Sequence, residues 1–185
     1  VLYRFLDTRA GRVLAGEELS KDFPQWDNMV ASIGWERIVL SSAVVEEHRA
    51  LAGLSFTDAA RQAGMGEVEL FCRLIVENRG KVGIILQSMA PADVDRVLTL
   101  PWVSVISDAL YGGGDMPHPR LYGAFPKFLR EYVREKKLLT LGEAVRKMTS
   151  LPAKRLGLKD RGALLPGYYA DALLFDPAKF TDRAT

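Results

Sequence analysis

Val105-Ile106-Ser107-Asp108-Ala109, followed by a glycine-rich loop and then by His118-Pro119-Arg120-Leu121-Tyr122-Gly123, is the stretch on which the fold turns. An apolar run that ends abruptly in a carboxylate is the pattern of a strand delivering an acid to a surface. Ten residues beyond Asp108 comes a histidine, then an arginine, both set beside prolines that stiffen the backbone. Between them, Tyr111-Gly112-Gly113-Gly114 reads as a flexible loop. No lysine follows those glycines and no G-x-G-x-x-G spacing appears, so a phosphate cradle is not indicated.

Upstream, Trp35 to Ser42 reads as a strand of β-branched residues closing in two hydroxyls, and Val44 to Ala52 as a helix that carries His48 on its surface. Ser55-Phe56-Thr57-Asp58 has the Ser-x-x-acid form of a capping box, with its helix stopping at Gly64. Val68, Phe71, Cys72, Ile75 and Val76 recur at spacings of three and four, which predicts a second helix with one apolar face. Cys72 lies on that face and reads as a small buried hydrophobe. Lys81 to Ser88 is a strand, Pro91 opens a short helix, and Val103 to Ser107 is the next strand; this succession predicts a βαβ unit with parallel strands. Residues 1–34 are poorly periodic and receive no assignment beyond a short buried turn around Phe23, Trp26 and Met29.

Downstream, Phe125, Phe128, Leu129, Tyr132 and Val133 form the apolar stripe of a long helix. Thr140-Leu141-Gly142-Glu143 is a second capping box, and the turn from Leu151 stops at Gly157. Residues 162–167 are turn-like, and Ala170 to Pro177 reads as a short strand.

The bulk numbers describe an ordinary globular chain. It has 185 residues, 48% hydrophobic and 26% charged, with a net charge of +2. Its basic residues are interleaved with acids, so nucleic acid is not an expected partner. No apolar run reaches the roughly 18 residues that span a bilayer, and a membrane is not expected either. A single cysteine excludes a disulfide framework and fits a reducing cytoplasm.

Ser107-Asp108, His118-Pro119-Arg120-Leu121-Tyr122-Gly123, Glu143 to Ala153, and Asp160-Arg161-Gly162 with Pro166-Gly167-Tyr168-Tyr169-Ala170-Asp171 resemble the N-acyl-D-amino-acid deacylases (D-aminoacylases) of the metal-dependent amidohydrolase superfamily. The resemblance implies an α/β fold: the C-terminal part of an amidohydrolase (β/α) barrel with a small helical insertion and the start of a return β domain, mostly helical when taken alone. It divides the chain into a late barrel segment (1–52), the insertion and a strand (53–100), the last barrel strand and helices (101–160), and the β-domain segment (161–185). Both ends read as cut, so the chain is expected to be a piece of a longer enzyme and, by itself, an inactive one that associates with copies of itself to cover its apolar faces.

The expected reaction of the parent is hydrolysis of the amide of N-acyl-D-amino acids by zinc-activated water. Asp108 would act as general base from a strand end, where barrel active sites lie; the competing role for a carboxylate there is to cap the loop. Arg120 would grip the α-carboxylate with its planar fork, the competing role being a structural ion pair. His118 would touch substrate, orient the loop or bond Asp108. Ser41 or Ser42 would add a hydroxyl to the carboxylate pocket. No zinc ligands are assignable within the chain: His48 and His118 are its two histidines, and they do not form the family's His-x-His pair. The chain also departs from the family in carrying Ala109 where glycine usually follows the Ser-Asp. Alternative readings are a cyclic-amide amidohydrolase, from which the His-Pro-Arg loop points away, and a non-enzymatic helical protein-binding module.

Overall fold

The computed structural model describes residues 1–109 and 118–183, in two units. The first is built from Val1–Ser88 and includes His118; the second comprises residues 89–109 and 119–183.

The first unit runs α1 (Leu2–Leu6), α2 (Arg9–Leu19), α3 (Met29–Ile33), a 3-10 turn (Trp35–Arg37), β1 (Ile38–Ala43), α4 (Glu46–Arg49), α5 (Phe56–Ala63), α6 (Glu67–Glu77) and β2 (Val82–Leu86). Side chains set several helix starts. Thr8 accepts the amide of Gly11, Asn28 those of Val30 and Ala31, and Ser55 that of Asp58, each meeting a donor the helix itself leaves over. The expected capping box at Ser55 is therefore present, and its helix closes at Gly64 in the left-handed conformation, φ 68°. Helix α6 buries Leu70, Cys72 and Leu74 to 1% exposure, whereas Val68, Phe71, Ile75 and Val76 of the expected stripe are half-buried. Leu70 and Leu74 pack with Ile38, Leu40, Leu51, Phe56, Ala59 and Ala60 around one core. Cys72 is the buried hydrophobe its position implied, and burial raises its thiol pKa.

Three helices appear in the segment that periodicity left blank. Gly11 explains part of the missing signal: a Cβ there would fall 2.6 Å from the carbonyl carbon of Phe5, so the glycine is a site of close approach rather than a helix breaker. His48 corrects the sequence reading outright. It is 3% exposed, not superficial, because α4 turns it toward the C-terminus of α6, where Asn78 and Glu77 receive it.

The parallel βαβ expectation is also overturned. β1 and β2 pair antiparallel, Ile38 opposite Leu86 and Ala43 opposite Val82, with a bulge between Leu40 and Ser42. This is the single two-stranded sheet among the described residues, and no closed barrel is formed there. Residues 103–107 are irregular, not a strand. Their backbone is occupied elsewhere: the amide of Val105 donates to the carbonyl of Lys147 at 3.1 Å, and Val103 O accepts from the Lys147 side chain. A strand needs a ladder partner for those groups, and here a helix has taken them.

The second unit runs α7 (Pro91–Thr99), α8 (Arg120–Phe128), a π-helical stretch (Leu129–Glu135), α9 (Leu141–Met148) and α10 (Ser150–Arg155). Pro126, which has no N–H to give, sits inside α8, and the following turns widen into the π form. Thr140 accepts the amide of Glu143, as the second capping box predicts. Val105, Phe128, Leu129, Tyr132 and Ala144 make this unit's core, with Phe175 and Phe180 packed on it. Asp95 on α7 accepts from Lys136 at 2.5 Å and from the Tyr132 hydroxyl at 2.6 Å. Those bonds, the Lys136 one foremost, hold the carboxyl below its usual range. Burial, and then the same carboxylate, raise the Tyr132 pKa.

The tail is irregular chain with turns and without a strand partner among the described residues, which corrects the strand expected over 170–177. Side chains hold it instead. Arg130 binds Asp182 at 2.8 Å, Arg134 donates to the carbonyls of Pro177 and Phe180, and Arg161 pairs with Asp171 while stacking over Tyr169. Leu173 and Leu174 stay exposed.

Candidate functional site

Asp108 follows the irregular segment that α9 anchors. Its backbone is left-handed, φ 46°, a conformation that aspartate tolerates better than most residues because its short polar side chain can bond locally. The left-handed angle thus falls on the acid itself rather than on Ala109. Arg120 is the first residue of α8, entered through Pro119, and the rigid proline fixes where the arginine leaves the chain. Arg120 Nη1 lies 3.2 Å from Asp108 Oδ2, with both side chains substantially exposed. The structure therefore brings together the two strongest candidates from the sequence. Such an exposed pair contributes little to stability, about 0–1 kcal/mol.

Ser41 and His118 belong to the other unit. Ser41 sits at the bulge of β1, where one extra residue re-aims the side chain. A Cβ on Gly83 opposite would fall 2.6 Å from Ser41 Oγ, so this hydroxyl is held close against the partner strand by a glycine. His118 is exposed and immediately precedes the N-cap of α8. Tyr111 to Gly114, the expected loop, lies outside the described residues.

Two polar groups escaped the sequence reading. Asn78, bonded to four partners, reads in sequence as nothing more than a helix end. Its Oδ1 accepts the amides of Val44 and Val45, both at 2.9 Å, and its Nδ2 donates to Leu74 O at 2.9 Å and to His48 Nδ1 at 2.8 Å. Because Oδ1 is committed to two backbone donors, the amide orientation is fixed, and His48 Nδ1 must be an acceptor. The ring proton then sits on Nε2, which faces Glu77 Oε2 at 3.2 Å. Lys147, completely buried, is the second. It stands three residues beyond Ala144 of the α9 stripe, a spacing that placed it on the inner side of the helix despite its charge.

No group of three or more His, Cys, Asp or Glu side chains able to hold a metal ion occurs among the described residues. Nor, among them, is any helix long and apolar enough to cross a membrane.

The chain is similar to several known proteins. An amidohydrolase family model matches residues 102–185, the part that holds Asp108 and Arg120. The chain is 41% identical over 133 residues to N-acyl-D-aspartate deacylase of Alcaligenes xylosoxydans xylosoxydans, a match covering 72% of this chain and 26% of that protein. It is 38% identical over 135 residues to a D-aminoacylase of the same organism, covering 73% and 27%. The crystal structure of N-acyl-D-glutamate deacylase from Bordetella bronchiseptica, complexed with zinc and a phosphonate mimic of the tetrahedral intermediate, superposes with a TM-score of 0.73. That match is at 35% identity and covers 85% of this chain and 31% of that one. The chain spans about a quarter of the length of the curated relatives it matches. By sequence and by fold, it belongs to the N-acyl-D-amino-acid deacylase (D-aminoacylase) family of the amidohydrolase superfamily.

Proposed function

We propose that this chain forms part of an enzyme that hydrolyses the amide bond of N-acyl-D-amino acids, in which Asp108 moves the proton and Arg120 holds the substrate. The observation that carries the reading is the 3.2 Å approach of Arg120 to Asp108 within the segment matched by the amidohydrolase model. Asp108, as carboxylate, accepts a proton from the attacking water and then returns it to the departing nitrogen. The acyl group leaves as a carboxylic acid and the free D-amino acid remains. Arg120 grips the α-carboxylate through parallel N–H donors, which sets the scissile amide at a fixed distance from the acid beside it.

The Bordetella relative is complexed with zinc, and among the described residues here no group of three or more His, Cys, Asp or Glu side chains stands ready to hold a metal ion by itself. This chain's own contribution is proton transfer and orientation, and the 185 residues alone are inactive. Ser41 and His118 are proposed as further substrate contacts in the whole enzyme.

Arg120→Met, made in a polypeptide of the relatives' full length that carries this sequence, tests the carboxylate grip. A charge-assisted hydrogen bond is worth roughly 1.5–3 kcal/mol, so KM for N-acetyl-D-methionine should rise about 10- to 100-fold. The corresponding D-amino-acid amide, which has no carboxylate to hold, should be handled equally by wild type and variant. Equal losses on both substrates would assign Arg120 a structural role.

A further inference from the structure

Lys147 on α9 has 0% exposure, and among the described residues its amine makes no ion pair, although the charge of Glu143, four residues earlier, acts on it. Its Nζ donates instead to two backbone carbonyls, those of Leu100 and Val103, the latter at 3.0 Å. Its own carbonyl accepts the amide of Val105 at 3.1 Å. Neighbouring cations extend the grip: Arg146 donates to Pro101 O at 2.5 Å, and Arg155 of α10 to Trp102 O. Leu100, Pro101, Trp102 and Val103, four successive carbonyls just past the end of α7, each accept from a cation of α9 or α10. An irregular segment has no ladder to satisfy its carbonyls, and here cationic side chains donate to them, with the Val103 amide also meeting Leu100 O.

The consequence lies three residues beyond Val105. Asp108 holds a left-handed backbone, which persists in a non-glycine residue when its surroundings over-determine it. The segment leading into it has no strand ladder to fix it, as described above. Its anchors are the Lys147 amine, the Lys147 carbonyl and the packing of Val105 in the core.

We propose that Lys147 is a positioning residue for Asp108: the buried amine and the carbonyl of one residue together set the path of 100–105 and so the place at which the carboxylate is presented beside Arg120. This rests on the reading of Asp108 as the general base. Lys147 touches no substrate and transfers no proton in this role. The variant that isolates it is Lys147→Met, which keeps the length and packing of the stem and removes the donors.

Two measurements decide it. In the 185-residue chain, amide hydrogen exchange over residues 103–108 should quicken by about tenfold in Lys147→Met, while protection in α5 and α6 stays as in wild type. In the full-length polypeptide, kcat per folded chain should fall on the order of 10- to 100-fold with KM changed less than about threefold, since misplacing a catalytic group by a small distance acts on the chemical step. If Lys147→Met does not fold, Lys147→Gln, which keeps a donor on a shorter stem, is read the same way.

Unchanged exchange over 103–108 would overturn the proposal, as would a lowered melting temperature with kcat per folded chain intact. Asp108→Asn run in parallel separates this from the reading beneath it. Full turnover in Asp108→Asn removes the general base itself, whereas lost turnover there beside an unimpaired Lys147→Met removes the positioning role alone.

Discussion

Replacing Asp108 with asparagine should lower turnover of N-acyl-D-amino acids by about 10²- to 10⁴-fold in the full-length polypeptide, the range general acid–base catalysis contributes. The expected change in folding stability is small, within about 0.5 kcal/mol, because the side chain is exposed. Asparagine is the informative replacement for a backbone reason. Asp108 stands at φ 46°, and asparagine accepts the left-handed region as readily as aspartate, so the loop keeps its course. The amide is close to isosteric with the carboxylate but cannot take the proton from water. A loss in kcat with an unaltered melting temperature therefore reports on the carboxylate alone. If Asp108→Asn instead lowers stability and leaves kcat per folded chain unchanged, the acid is a loop cap and its pairing with Arg120 is structural.

The largest effect on stability should come from Asn78→Ala, expected to cost about 3–5 kcal/mol in urea denaturation of the 185-residue chain. Truncation strands the amides of Val44 and Val45, the ring nitrogen of His48 and part of the demand of Leu74 O, in a place where Asn78 itself is only 3% exposed. Each buried polar group left without its partner costs roughly 1–3 kcal/mol, and whole-domain stabilities run at only about 5–15 kcal/mol. Asn78→Asp should recover part of the loss. It can still accept both amides, but it presents an acceptor where His48 Nδ1 and Leu74 O each expect a donor. A cost under about 1 kcal/mol for Asn78→Ala would mean that water replaces the side chain freely and that this knot does not hold the end of β1 to the end of α6.

The contrast between Ser55 and Asn78 explains what a reader of the sequence can see. Ser55 finds its partner three residues on, at Asp58, so the capping box is spelled out locally. The same is true of Thr140 and Glu143. Asn78 finds its partners at Val44 and Val45, more than thirty residues away, and nothing in the local spelling announces them. His48 was misjudged for the same reason: its neighbours Glu46, Glu47 and Arg49 look like a solvated face, while the groups that bury its ring come from the far end of α6.

Residues 103–107 failed in a different way. A short apolar run bounded by turns fits a buried strand and a buried irregular segment equally well, and pattern does not choose between them. The choice was made by Lys147, some forty residues later, which took up the backbone groups a strand would have offered to a neighbour. The expected parallel unit failed with it, since β2 pairs back on β1. The candidate pair Asp108 and Arg120, by contrast, was legible because a carboxylate ending an apolar run and an arginine behind proline carry their chemistry in their residue types. Their 3.2 Å approach was not legible, and Ser41 and His118 lie in the other unit.

The measurement that bears most directly on the account is release of free amine from N-acetyl-D-methionine and from its L enantiomer by the full-length polypeptide, with Asp108→Asn alongside. The account predicts hydrolysis of the D substrate, little or none of the L, and loss of the D activity in Asp108→Asn. Equal hydrolysis of both enantiomers, or undiminished turnover without the Asp108 carboxylate, would contradict it.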